Sequence, residues 1–294
     1  MAVLLLVMLA FAPGVVAAMF AHGRRLAVAN PGSAVLPHSV VRRTAGWRWA
    51  GFLAGLAAGG VAASSGALGR GLLLAAPVFA LCVLAGVVVG ETTVRSPAGR
   101  TRTAAVEVRR ARDYAPRRLT QAVIAATGLL LGLLTVTTAT GAADNLGRSG
   151  RVVVLQCSTT LQESAGPWPG SFYSLPLGIT VTAGLLAAAA ALRRVVRRPR
   201  AGADAGAVAA DEALRQRAGQ AITGACGILV AIPLAGCAVV TAVALLSLSC
   251  RPAWLTFSAW AILALVPAAV GLINWCAASL LSPARGVSRL LPGT

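Results

Sequence analysis

Long uncharged apolar runs alternate with short arginine-rich stretches along the whole chain. The runs fall at about 1–21, 49–65, 71–90, 119–143, 172–192, 218–249 and 254–278. A helix rising 1.5 Å per residue crosses a hydrocarbon core of about 30 Å in roughly 20 residues. Backbone inside lipid finds no water to bond, so such runs must be helical. The pattern predicts an all-α fold, a polytopic transmembrane helical bundle of about seven spans forming a single membrane domain over residues 1–294.

Individual runs refine this picture. Residues 1–21 are either a cleaved signal or a first span. A signal peptide carries positive charge ahead of its apolar run, whereas Arg24, Arg25, Arg42 and Arg43 follow this one. That order favours a retained span, kinked at Pro13. The run 218–249 is longer than one crossing needs, which a tilt and a kink at Pro233 accommodate. Arg251-Pro252 separates it from the last span. Between spans, 103–114 carries apolar residues at helical spacing and an Arg109/Asp113 pair four apart, ended by Pro116. Residues 151–157 read as a short extended piece, 167–170 as a turn with an interfacial Trp168, and 201–210 as a flexible linker.

Composition agrees with the pattern. The chain is 57% hydrophobic and 12% charged, with a mean hydropathy of +0.78. Soluble domains carry about 25% charged residues. All 26 positive residues are arginine. With no lysine, retinal or pyridoxal Schiff bases and phosphate-loop chemistry are excluded. This bias, with the Ala/Gly/Leu/Val excess, points to a GC-rich bacterial genome.

Arginine placement sets an orientation. The stretch 91–118 alone holds eight, among them Arg109, Arg110, Arg112, Arg117 and Arg118. Seven spans put the arginine-rich segments 22–48, 91–118, 193–217 and the tail on one face, leaving Arg70, Arg148, Arg151 and Arg251 on the other. Positive charge is retained on the cytoplasmic side. The expectation is a multi-pass protein of the bacterial inner (cell) membrane, N-terminus outside and C-terminus inside. Trp47 and Trp49 fit an interfacial belt, as do Trp254, Trp260 and Trp275. The net charge of +18 is then topology and contact with anionic lipid head groups, not nucleic-acid binding. The implied partners are the lipid bilayer and its head groups, with a protein partner or a second copy left open.

Candidate site residues are few. Gly51, Gly55 and Gly59 recur every four residues, a face on which another helix can approach closely. Thr135, Thr137, Thr138 and Thr140 either bond their own helix carbonyls or face a polar path. Cys82, Cys226, Cys237 and Cys276 lie in spans as packing residues. Cys157 and Cys250 both fall on the outer face, where disulfides form, and are a candidate pair. His22 and His38 lie in a basic loop, without metal-ligand spacing. No cofactor, metal or catalytic motif is present, and no enzyme activity is expected.

Residues 113–131 echo 212–230 at an offset of 99. Arg118/Arg217, Gln121/Gln220, Ala122/Ala221, Ala126/Ala225, Gly128/Gly227 and Leu130/Leu229 are identical. A duplicated hairpin, 71–143 and 172–249, accounts for this; so does shared membrane-entry chemistry. Gly90-Glu91 opening a basic loop, RRARDYAPRR at 109–118 and ADEALRQR at 210–217 resemble uncharacterised actinobacterial polytopic integral membrane proteins. The resemblance implies a cell-membrane protein and supplies no active site. Two readings follow: a non-enzymatic scaffold or accessory protein, or a transporter or permease subunit of facilitator type. Ion-coupled carriers place ionisable groups at mid-membrane, and the spans as bounded here have none.

Overall fold

The computed structural model describes residues 38–65, 69–93, 114–197 and 205–281. Seven helices and three strands lie among them. The helices are α1 (His38–Ser64), α2 (Arg70–Thr92), α3 (Arg117–Ala139), α4 (Ser171–Arg197), α5 (Ala205–Ser247), α6 (Ala253–Leu263) and α7 (Leu265–Leu281). Five stretches are long and apolar enough to cross a membrane: Arg70–Thr92, Arg117–Ala139, Ser171–Arg197, Asp211–Ser247 and Ala253–Leu280. The chain is thus mostly helical and suited to a membrane-embedded position.

The expected spans meet this architecture unevenly. The run 1–21 lies outside the described residues, as does most of 103–114. The run 49–65 is helical within α1 but is not among the five, being Gly/Ala-rich and entered through Trp47-Arg48-Trp49. The span expected at 119–143 ends as a helix at Ala139. The last span breaks at Ala264 into α6 and α7. Residues 205–210, expected as linker, are the first turns of α5.

The bundle is built around α5. In its apolar window 67% of residues are buried, against 17–33% in the other four spans. Its 43 residues give a length of about 65 Å, far more than a bilayer core needs. The helix runs on through Pro233. Leu229, Val230, Ala231, Cys237, Ala238 and Ala242 are fully enclosed. The other helices pack around it except α1, whose principal neighbour is α2.

Small residues set these approaches. A Cβ on Gly51 would stand 2.7 Å from the Cys82 carbonyl oxygen and 2.8 Å from Gly86 Cα; on Gly55, 2.8 Å from the Phe79 oxygen. On Gly59 it would lie 3.1 Å from the Ala75 oxygen. The glycine face of α1 therefore lies backbone-to-backbone on α2, with Gly86 as its counterpart. Gly224 brings α5 equally close to α7, at Cys276 and Ser279.

All-α describes the bundle but not the segment between α3 and α4. There Gly141–Ala142, Val152–Gln156 and Gln162–Ala165 form an antiparallel sheet, ordered β1-β2-β3. Val153 is central, opposite Gly141 on one side and Ala165 on the other. Successive chain passes run in opposite directions, so the bundle has a sheet end and an opposite, arginine-bearing end.

Candidate functional site: the two ends of the bundle

At the sheet end, polar side chains hold main chain. Glu163 on β3 accepts the N–H groups of Ser249 (2.9 and 2.8 Å) and Cys250 (3.2 Å). These lie in the turn after α5. The donors, Ser249 first, hold the Glu163 carboxyl below its usual range. Beside it, Cys157 and Cys250 stand at disulfide distance, with Cα atoms 5.7 Å apart across 93 residues of sequence. That spacing lies within the range disulfides adopt. Arg251 donates from Nη1 to the carbonyls of Leu246 (2.7 Å) and Leu248 (2.5 Å), capping α5.

A second knot lies across the sheet. Asp144 accepts from the Leu146 and Arg148 backbone and from the Arg148 and Arg151 side chains, the last at 2.6 Å. Desolvation pushes its carboxyl up, but these donors outweigh it and hold the pKa at about 2. The Arg70 and Arg151 guanidinium groups stand 5.1 and 5.5 Å from the Phe172 ring centroid.

Trp168, read from the sequence as an interfacial residue in a turn, is packed inside the protein and 3% exposed. Its Nε1–H reaches the Thr137 carbonyl at 2.8 Å, and the Thr137 hydroxyl donates to the Pro169 carbonyl at 2.8 Å. Trp168 thereby plugs the sheet onto Leu245, Leu248 and Ala259.

The opposite end carries charge differently. Arg215 is buried with Asp211 (Nη2–Oδ2 2.8 Å) and also donates to the Val196 carbonyl (3.0 Å) near the end of α4. Sequence reasoning missed this pair because it placed 210–217 in a loop. Arg48 on α1 pairs with Glu91 on α2 at 3.2 Å and reaches the Leu280 carbonyl of α7 at 3.3 Å. Tyr114 is buried, its hydroxyl 3.4 Å from Glu212, so the two echoing segments touch here. Their register partners differ in setting: Leu130 and Leu229 are both buried, but Gly128 is exposed and Gly227 enclosed. Arg117 and Arg118 are exposed at the start of α3. Arg109, Arg110 and Arg112 lie outside the described residues.

The residues considered for a polar path do not converge. Thr135 is exposed and donates back to the Leu131 carbonyl, while Thr138 bonds the Leu134 carbonyl and stands 2.6 Å from the Ser174 hydroxyl on α4; the polar Asn274 of the last span is exposed on α7. Cys226, Cys237 and Cys276 are buried and Cys82 partly so. Cys157, Glu163 and Cys250 are the one group of potential metal ligands among the described residues, but Glu163 already bonds backbone there.

Fold and ends together define a helical, membrane-compatible bundle capped by a small sheet. No protein-family model, curated protein or solved structure matches the chain.

Proposed function

We propose that the chain is a non-enzymatic scaffold or accessory protein of the bacterial cell membrane. It crosses seven times, with residues 1–21 as the first span and α1 as the second. The sheet end faces outward and the arginine-bearing end faces the cytoplasm, against anionic lipid head groups or a protein partner. The observation that carries this reading is how the sheet end uses its polar groups. Glu163 and Arg251 are committed to backbone, and Asp144 to backbone and the Arg148 and Arg151 side chains, which suits a rigid platform. The outward Thr135 and Asn274 support it against a facilitator.

Phosphatase fusions test the orientation: activity is expected after residue 160 and none after residue 110. The reverse would overturn it. Solute permeation into vesicles holding the purified protein should match that of protein-free vesicles; faster uptake would restore the transporter reading.

A further inference from the structure

Three helices bring charge together where α1, α2 and α5 approach the end of α7. Arg48 and Glu91 form the ion pair described above, and Arg217 on α5 lies within electrostatic range of both. Among the described residues the group therefore holds two guanidinium ions and one carboxylate. Arg217 is half-buried and makes no hydrogen bond or ion pair among the described residues. Its Nε is sealed from solvent without a partner, as is the Nε of Arg48. A guanidinium drawn partly out of water beside a like charge is poorly placed unless an anion completes it. Its planar fork matches two oxygens of a phosphate.

Depth identifies the source of that phosphate. Arg48 lies between Trp47 and Trp49, which are 40% and 51% exposed. Indole rings of this kind sit at the level of lipid head groups. We infer that Arg217, with Arg48 beside it, forms a binding site for the phosphodiester of an anionic phospholipid at the arginine-bearing end of the bundle. The inference gives the proposed head-group contact a particular address and rests on that reading for the lipid's presence. Arg117 and Arg118, exposed at the start of α3, supply only a diffuse field.

The full-length protein in mild detergent, titrated with phosphatidylglycerol or phosphatidylcholine, tests this by native mass spectrometry. The wild type should retain phosphatidylglycerol in preference. Arg217→Gln should weaken that retention about tenfold or more, the loss of a charge-assisted pair. Arg217→Lys keeps the charge without the fork and should fall between; it also serves if Arg217→Gln folds poorly. Arg118→Gln should leave retention unchanged. Equal retention by wild type and Arg217→Gln would overturn the site. So would an equal loss in Arg118→Gln, which would leave only a diffuse basic face. Saturable protection from heat by inorganic phosphate, with none by the lipid, would overturn the lipid assignment. Reversed phosphatase reporters would overturn the orientation but leave this binding result standing.

Discussion

The two ends of this bundle solve opposite problems. At the sheet end, the 31 residues of chain between α3 and α4 (140–170) must be held against helix termini whose carbonyls have no helical partners. They are held by specific, saturated contacts: Trp168 in its pocket, Glu163 on two backbone N–H groups, and Cys157 against Cys250. At the opposite end, among the described residues, positive charge exceeds its partners. Asp211 neutralises Arg215, and Glu91 faces Arg48, but among the described residues Arg217 has no ion-pair partner, and Arg117 and Arg118 face outward. One end is closed on itself, and the other is left to be completed from outside. Perturbations should therefore cost stability at the sheet end and binding at the other.

The largest expected break is Trp168→Ala. A buried aromatic removed without refilling costs about 3–5 kcal/mol, here with loss of the bond to the Thr137 carbonyl. Thermal unfolding in detergent should shift down strongly, and a protease should cut within 141–170. Loss of the Cys157–Cys250 bond comes next. If it closes as the placement indicates, Cys157→Ser or a reductant should lower stability by about 2–4 kcal/mol. A thiol count unchanged by reductant would show that the bond does not form.

Acid provides a graded version of the same test. The carboxyls of Asp144 and Glu163 are both depressed in the folded protein. A depressed carboxylate contributes stability above its unfolded pKa, roughly 4 for both residue types, and loses it as pH falls through the folded value. For Asp144 that window runs from about 4 down to about 2. Hydrogen-exchange protection at Leu146 and Arg148, corrected for the intrinsic slowing of exchange in acid, should fall across this descent, and at Ser249 and Cys250 it should fall as Glu163 takes up its proton. Asp144→Asn should remove the part of the response at Leu146 and Arg148 and leave Ser249 unchanged. An identical profile in the variant would assign the acid response elsewhere.

Much of the bundle was legible because lipid imposes a simple rule on sequence: long, uncharged and helical. Helices α2, α3 and α4 start and end near the limits of their apolar runs. Where the rule stops, so does the reading. The first turns of α5 are Ala-rich but carry Asp211 and Arg215, so composition marks a loop; the helix persists because Ala favours it and Arg215 docks on α4. The sheet was visible only as residues 151–157. Its β3 partner, Gln-Glu-Ser-Ala, lacks a strand's apolar alternation and gains its place by register with β2. Gly51, Gly55 and Gly59 could be read as a packing face from spacing alone, but Gly86 across from them could not. The group at Arg48, Glu91 and Arg217 spans about 170 residues of sequence, so no local motif announces it.

The smallest stability effect is expected at Arg117 and Arg118. Both side chains are exposed, and surface substitutions away from caps or buried networks usually stay within about 0.5 kcal/mol. The double variant Arg117→Gln, Arg118→Gln should melt with the wild type. Reconstituted in mixed vesicles, its enrichment of phosphatidylglycerol over phosphatidylcholine in the surrounding lipid should fall modestly, with a weaker dependence on salt, because each charge near an anionic surface contributes only about 1 kcal/mol. A large drop in melting temperature would mean that these arginines hold the bundle together after all. The contrast between a self-sufficient end and an end completed by its surroundings would then fail.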